Sequence, residues 1–375
     1  MLAETHVSLL EPFEMGDIRL RNRLAVAPMT RVSAGSNGVP SERMAEYYAE
    51  FARGEFGLII TEGVYPDALY SRALERQPGL ATAAQVDGWR RVTRAVHAHG
   101  GLILAQLMHA GALSQSLAQT IAPSSVRPKG EKLPEYGGSG LFPIPRAMDQ
   151  EDIRAAVTGF VEAAARARDA GFDGVELHGA NGYLIDQFLT DYTNIRTDEY
   201  GQNVVGRVRF AAEVVSAVRD AVGTKLPVGI RLSQTKVNDF VYRWPGGEAD
   251  AEIIFRAVRD AGASYIHVAS EGRDWRDTAR FRDHGPTITQ IARQVTGLPV
   301  IANGSLHRPD LAQAVIGQGH ADLVALGRAA LANPDWPARM RLGIEFDAFD
   351  RAMIEPNASL ENSDRWRAGA PGVWG

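Results

Sequence analysis

The chain has 375 residues, of which 45% are hydrophobic and 23% charged, and its 40 basic and 45 acidic residues give a formal charge of −5. This composition is typical of a soluble globular protein, and it lacks the excess positive charge with which nonspecific nucleic-acid-binding proteins neutralise phosphates. Cysteine is absent, which excludes disulfides, thiolate zinc sites, cysteine-bound iron–sulfur clusters and cysteine nucleophiles.

The start of the chain carries acidic residues and no basic stretch, so it is not typical of a secretory signal. No apolar run approaches the ~18 residues that a membrane-spanning helix needs. The cytoplasm is therefore the expected location, and neither a nucleic acid nor a membrane is an expected partner.

Eight short apolar runs recur along the chain, as expected for parallel strands that are buried on both faces. They begin at Leu24, Gly57, Leu102, Gly174, Val228, Tyr265, Val300 and Leu323. The stretches between them have helical periodicity and helix-ending glycines. The predicted helices cover 41–53, 86–99, 149–170, 207–222, 248–261, 287–296 and 308–317, with a last one around Trp336. Eight strands, each followed by a helix, predict an α/β fold of the (β/α)₈ TIM-barrel class.

Three segments lie outside this repeat. Residues 1–23 precede the first strand and are expected to cap the bottom of the barrel. The loop 107–147, after the third strand, is rich in proline and glycine, and a loop that long in a compact domain is usually functional. We expect one domain over 1–375 with the barrel at about 24–342. The tail 343–375 is either a disordered end, a packed extension or an arm onto a neighbouring subunit.

Active sites of such barrels lie at the C-terminal ends of the strands and in the loops that follow. Polar residues occur at or just after these ends, at Thr30, Gln106, His178, Arg231, Asn303 and Arg328. Any one of these residues could equally well have a structural role. Together they converge on one face of the barrel, which indicates a functional site. The run after the fourth strand is the most informative, because His178, Asn181 and Tyr183 follow one another within six residues.

Residues 174–201 read GVELHGANGYLIDQFLTDYTNIRTDEYG and resemble the signature of the Old Yellow Enzyme family of NAD(P)H:flavin oxidoreductases. Shorter matches in the family's order extend the resemblance over roughly residues 9–342; they lie at 9–31, 61–63, 106–107, 109–111, 231–233, 303–304 and 326–328. The resemblance implies an FMN-dependent ene-reductase. In such an enzyme NAD(P)H reduces FMN, and a hydride then passes from flavin N5 to the β carbon of an α,β-unsaturated carbonyl or nitro compound.

The resemblance also implies a set of residues that bind FMN without a covalent bond. Arg231 is expected at the N1/O2 edge of the flavin, where a permanent cation stabilises the anion that develops on reduction. Gln106 is expected at the pyrimidine edge, Thr30 near the C4 oxygen, and Gly304 with Gly327 and Arg328 at the phosphate. The rest of the set comprises Asn303 and three residues that allow close backbone approach to the ring, Pro28, Met29 and Gly63.

The catalytic residues implied by the resemblance are those of the run after the fourth strand. His178 and Asn181 would donate hydrogen bonds to the substrate oxygen, where negative charge develops as in an oxyanion hole. Tyr183 would protonate the α carbon, which is unusual for a group with a reference pKa of about 10. Glu176 and Asp186 are expected to be structural partners of this loop, and no metal is expected.

Two features depart from the family pattern. Met108 stands two positions after Gln106, where the family often has tryptophan, and 237–247 matches no family signature. That segment either shapes the entrance to the site or is an ordinary surface connection. Two other functions stay open, an FMN barrel that demethylates amines or reduces nitrate esters and a non-catalytic barrel that binds small molecules. A homodimer is a further expectation, and the sequence decides neither the physiological substrate nor the choice between NADH and NADPH.

Overall fold

The structure is a computed structural model that describes residues 8–270, 275, 280–281 and 285–369. Its strands are β1 (Phe13–Met15), β2 (Ile18–Leu20), β3 (Leu24–Val26), β4 (Leu58–Val64), β5 (Ile103–Leu107), β6 (Ile121–Ala122), β7 (Arg146–Ala147), β8 (Gly174–Asn181), β9 (Val228–Lys236), β10 (Tyr265–Val268), β11 (Val300–Asn303) and β12 (Leu323–Leu326). In the order β3, β4, β5, β8, β9, β10, β11, β12 the strands close into a parallel barrel. The predicted TIM-barrel class is therefore confirmed.

The helices lie between the barrel strands and after the last one. They are α1 (Glu42–Arg53), α2 (Ala83–His97), α3 (Gln150–Asp169), α4 (Leu184–Leu189), α5 (Val204–Val222), α6 (Glu248–Asp260), α7 (Ile288–Thr296), α8 (Pro309–Gly317), α9 (Arg328–Ala332), α10 (Trp336–Leu342) and α11 (Leu360–Gly369). α2 begins three residues before the predicted start, because Thr82 and Gln85 form a capping box. Within the described ranges, no helix combines the length and the apolar character needed to cross a bilayer.

The bottom of the barrel is closed by the β1–β2 hairpin. Met15 and Leu20 from this hairpin are fully buried and pack with inward side chains of the barrel strands, among them Leu58, Ile301 and Leu323. This contact removes the barrel interior from water at the end opposite the loops that follow the strands. The hairpin is therefore the expected N-terminal cap, although residues 1–7 of the predicted cap lie outside the described residues.

The C-terminal extension packs against its own chain as far as Gly369, the last described residue. Buried Arg31 donates from Nε to the carbonyl of Ala358 at 3.0 Å, and its guanidinium also bonds to Ser363 Oγ. Arg43 forms an ion pair of 2.8 Å with Asp364 on α11. Of the three alternatives for the tail, the described part is a packed extension, and residues 370–375 lie outside it.

Candidate active site at the carboxyl ends of the barrel strands

The end of β8 carries the residues for which the sequence predicted catalytic roles. His178 is buried and pairs in register with Arg231 on β9. Asn181, three residues further on, has a φ of 65°, a left-handed conformation that asparagine tolerates better than most residues. Ser233 Oγ accepts the N–H of Asn181 at 2.9 Å, and the carbonyl of Asn181 accepts the N–H of Val237 at 3.2 Å. The strand thus ends in a turn that β9 holds from both sides.

Tyr183 precedes α4 as its N-cap residue. Its ring lies against the imidazole of His178, with ring centroids 5.2 Å apart and planes inclined at 49°. It also packs against an apolar cluster that includes Met108, the residue after β5, and Tyr136 from the long loop packs against the same cluster. The structure therefore brings His178, Asn181 and Tyr183 together on one turn, beside a wall to which the long loop contributes.

His178 is neutral near pH 7. Burial, followed by the nearby positive charge of Arg231 and by His267, holds the pKa of its imidazole well below the ordinary value. Its Nδ1 atom is buried and has no hydrogen-bond partner among the described residues. A buried polar atom without a hydrogen-bond partner destabilises the folded protein by about 1–3 kcal/mol. We therefore expect a ligand to form a hydrogen bond with this ring.

Arg231 is fixed by a chain of hydrogen bonds that crosses three strands. Its Nη2 atom donates to Asn303 Oδ1 on β11 at 3.1 Å, and Asn303 Nδ2 donates to the carbonyl of Ala325 on β12 at 2.9 Å. Asn303, which the sequence assigned to the cofactor, therefore positions the guanidinium in this structure. The result is a buried permanent cation at the mouth of the barrel.

Gln106, at the end of β5, has a fixed amide orientation. Its Nε2 atom donates to Glu176 Oε1 at 2.8 Å, and a carboxylate can only accept, so the amide oxygen points away from Glu176. The other oxygen of Glu176 accepts from His267 Nδ1 at 2.9 Å and from the hydroxyl of Tyr265 at 3.2 Å. Although burial acts to raise it, the pKa of Glu176 is lowered by His267, Arg231 and Gln106. The carboxylate is thus charged and holds Gln106 in place.

The ends of β11 and β12 carry the residues that were assigned to a phosphate. Gly304 has a φ of 135°, which residues with a side chain rarely adopt. Gly327 lies immediately before α9, and Arg328 is the first residue of that helix. Arg328 is exposed and forms no hydrogen bond or ion pair with the described part of the chain. An arginine of this kind is available to an external anion.

The sequence profile of the NADH:flavin oxidoreductase / NADH oxidase family matches residues 8–347 of this chain. The chain belongs to this family, the Old Yellow Enzyme family. It is accordingly a flavin oxidoreductase that uses FMN, with a nicotinamide as the reductant.

Two relatives match over nearly their whole length. Putative 12-oxophytodienoate reductase 12 from Oryza sativa subsp. japonica is 37% identical over 357 residues, which cover 92% of this chain and 85% of that protein. A probable flavin mononucleotide-dependent alkene reductase from Leishmania infantum is 36% identical, with 92% of this chain and 93% of that protein covered.

Solved structures of the family have the same fold. The Old Yellow Enzyme homologue from Zymomonas mobilis is 31% identical, with a TM-score of 0.84 and with 95% of this chain and 98% of that chain covered. Morphinone reductase in complex with tetrahydroNAD is 34% identical, with a TM-score of 0.84 and coverage of 96% and 97%.

The site residues fit the FMN of an Old Yellow Enzyme family member on their chemistry. A flavin ring needs hydrogen-bonding groups along its polar edge, and a phosphate needs cations and backbone N–H groups. The barrel mouth offers a buried cation at Arg231 and an amide oxygen of Gln106 that points away from Glu176. It also offers an imidazole nitrogen of His178 that has no hydrogen-bond partner among the residues that the structure describes. Arg328, the first residue of α9, is exposed just after the end of β12. The donor set matches both parts of the cofactor.

The residues expected beside the flavin ring lie at the ends of β3 and β4. Pro28, Met29 and Thr30 are half-buried and directly follow β3. A side chain at Gly63 would come within 2.6 Å of Met108 Sδ. Glycine was expected here because it allows the backbone to approach the flavin ring. In the structure, glycine is needed because Met108, the residue that departs from the family pattern, fills the space that a side chain would occupy.

Glu62 lies in β4, between Thr61 and Gly63, and was not among the site residues predicted from the sequence. Its Oε2 atom accepts the N–H of Arg31 at 2.9 Å, and its backbone N–H donates to the hydroxyl of Tyr48 at 3.0 Å. Burial raises the pKa of Glu62 to about 7. The carboxyl group thereby holds the backbone next to Thr30. An acidic residue inside an apolar strand is the signal by which the sequence could have revealed a buried, partnered carboxyl group.

Proposed function

We propose that this protein reduces activated alkenes, namely α,β-unsaturated carbonyl or nitro compounds, and that His178, Asn181 and Tyr183 act on them. The observation that carries the proposal is the turn at the end of β8. There a neutral imidazole lies against the ring of a tyrosine, and one of its buried nitrogens has no hydrogen-bond partner in the described part of the chain. Supporting it, relatives over 35% identical include a 12-oxophytodienoate reductase and an alkene reductase by name.

FMN, when bound, supplies the hydride chemistry. Arg231, Gln106 and Thr30 would hold the polar edge of its ring, and Gly304, Gly327 and Arg328 would hold its phosphate. The remaining contacts would come from Asn303, which keeps Arg231 in place, and from Pro28, Met29 and Gly63. Arg231 would also favour negative charge at the ring edge that it faces, because it is a permanent cation in a buried setting.

His178 and Asn181 would bind the substrate oxygen. A neutral imidazole donates one N–H and keeps its other nitrogen as an acceptor, so His178 would act as a hydrogen-bond donor rather than as an acid. As electron density moves onto the substrate oxygen, the two donors would bind it more strongly than in the ground state. Interactions that strengthen in this way accelerate the reaction.

Tyr183 would donate a proton to the α carbon. Its hydroxyl is carried on the same turn as Asn181, and its ring is fixed by contact with His178 and by the apolar cluster around Met108. Water competes poorly in such a setting, which favours a defined proton donor. The phenol would thus complete the addition of hydrogen across the double bond.

The experiment that tests this proposal separates the two half-reactions of Tyr183→Phe by anaerobic stopped-flow absorbance. We expect reoxidation by 2-cyclohexenone to slow by about 10²- to 10⁴-fold, the usual contribution of a general acid. Flavin reduction by NADPH or NADH should stay close to the wild-type rate. Tyr136→Phe, in the same apolar cluster, is the matched control and should leave both rates unchanged. Equal losses in both half-reactions of Tyr183→Phe would contradict the proton-donor role.

A further inference from the structure

Lys236, the last residue of β9, forms a buried ion pair with Asp186 on α4, the helix that follows the turn with the proposed catalytic residues. Its side chain is 1% exposed, and its Nζ atom lies 2.5 Å from Oδ1 of fully buried Asp186. The other oxygen of Asp186 accepts the backbone N–H of Gly182 at 2.7 Å. Gly182 stands between Asn181 and Tyr183. The ion pair therefore connects the end of β9 to the centre of the turn.

The backbone of Lys236 contacts the same turn from the other side. In the β8–β9 ladder, Lys236 is the register partner of Asn181. Gly182 has a φ of 89°, which glycine adopts readily, whereas the φ of 65° at Asn181 is unusual for a residue with a side chain. Such a conformation persists only where the surroundings enforce it. Lys236 supplies part of that enforcement through its backbone and part through its side chain.

The segment 237–247, which matched no family signature, packs against Lys236 rather than standing free. Tyr242 places its ring centroid 4.7 Å from Lys236 Nζ and donates its hydroxyl to Asp191 at 3.0 Å. Asp239 pairs with Lys129 of the long loop at 2.7 Å. The segment thus links the long loop to the region just after α4 and covers the ion pair.

Stability alone is a poor reason for this pair. Burial raises the pKa of Asp186 and lowers the pKa of Lys236, and the opposite charge of each partner offsets part of that effect. Replacing a buried ion pair by apolar groups of similar size is often neutral or stabilising, whereas removing one partner is costly. A pair placed at an enforced turn fits a role in geometry better than one in folding energy.

We propose that Lys236 is a positioning residue for alkene reduction, and that its ion pair with Asp186 fixes Gly182 and thereby the side chains of Asn181 and Tyr183. This inference rests on the proposed function of the turn. It predicts that the loss of the pair affects the step that uses the substrate oxygen and the proton donor. The reduction of the flavin by a nicotinamide should depend on the pair much less.

Three FMN-loaded variants test the proposal, Lys236→Met, the double variant Asp186→Asn/Lys236→Met, and Lys129→Met as a matched control. Lys129 also forms a lysine–aspartate pair in this region, but its side chain is 57% exposed and its partner is off the turn. The measurements are the rate constants of both half-reactions, the dissociation constant of 4-hydroxybenzaldehyde from its charge-transfer absorbance, and the melting temperature.

Lys236→Met should weaken 4-hydroxybenzaldehyde binding and slow reoxidation by 2-cyclohexenone, each by about tenfold or more, since small misplacements of reacting groups can cost up to about 10²-fold. The double variant should recover the melting temperature without recovering reoxidation, and Lys129→Met should match the wild type. If Lys236→Met does not fold, the rate of reoxidation of the double variant tests the role of Lys236.

Three results would overturn the role of Lys236. They are a wild-type rate of reoxidation in the double variant, equal decreases in the rates of both half-reactions, and the same decreases in Lys129→Met. Failure of the proposed function has a different signature. It would appear in the wild type itself, as a protein that neither binds the phenol nor reduces the alkene, and the role of Lys236 would be rejected with it.

Discussion

The carboxyl group of Glu62 should make the stability of this protein fall as the pH rises from about 4.5 to about 7. Burial raises its pKa from 4.5 to about 7. Below pH 4.5 the carboxyl is protonated in both the folded and the unfolded chain. Between pH 4.5 and 7 the unfolded chain releases this proton while the folded chain keeps it, so the free energy of unfolding decreases. The decrease is complete above pH 7.

The size of this effect follows from the same pKa. Each pH unit within that window lowers the free energy of unfolding by about 1.4 kcal/mol, so the whole window is worth about 3 kcal/mol. Against a typical total of ~5–15 kcal/mol this is a large fraction. In Glu62→Gln the amide oxygen can still accept the N–H of Arg31, and its NH₂ group can donate to the Tyr48 hydroxyl, which donates to Oε1 of Glu62 at 3.4 Å in the wild type. The variant should therefore fold and lose the pH dependence of this group.

The assay is urea unfolding of the wild type and Glu62→Gln at pH 5 and pH 8, with the same excess of FMN. From pH 5 to pH 8 the variant should gain about 2.5 kcal/mol of stability relative to the wild type, since about two pH units of the window lie above pH 5. Exposed Glu42 provides the control, and Glu42→Gln should show no such relative gain. The raised pKa of Glu62 would be contradicted if the free energies of unfolding of the wild type and Glu62→Gln differed by the same amount at pH 5 and pH 8. It would also be contradicted if the variant lost stability relative to the wild type at pH 8.

Three further predictions follow from the site and the tail. Arg328→Ala should weaken FMN binding about 10- to 100-fold in a fluorescence titration, as expected for one charge-assisted hydrogen bond, while Arg19→Ala at the opposite end of the barrel should not. Because its pKa is depressed, His178 should produce no inflection near pH 6.5 in the rate of alkene reduction; an inflection that His178→Asn removes would contradict its neutral state. Deleting 348–375 should lower the free energy of unfolding by at least about 3 kcal/mol in urea, since Arg31 loses its carbonyl acceptors; an unchanged value would contradict the packing of the tail.

The barrel strands were predictable because their signal is local. A parallel strand covered by helices is buried on both faces, so it leaves a continuous apolar run in the sequence. Even β3 and β12, of three and four residues, were found in this way. Helix starts that depend on caps were less accurate, as α2 shows. The cytoplasmic location, the single domain over 1–375 and the homodimer stay predictions.

The partners that organise the site were not predictable in the same way, because they are distant in sequence. Glu62 and Arg31 are 31 positions apart, Asp186 and Lys236 are 50 apart, and Glu176 and His267 are 91 apart. Only the closed barrel brings these residues into contact. The turn residues His178, Asn181 and Tyr183, by contrast, lie within one short segment and could be recognised from the resemblance of that segment to the family signature.

The most direct test of the central claim is a crystal structure of the FMN-loaded protein with 4-hydroxybenzaldehyde, whose phenolate oxygen resembles the developing negative oxygen of the substrate. We expect this oxygen to lie at about 2.7–3.2 Å from a nitrogen of His178 and from the side-chain nitrogen of Asn181, with the Tyr183 hydroxyl facing the ligand ring. A phenolate oxygen that contacts neither His178 nor Asn181 would contradict the proposed binding of the substrate oxygen.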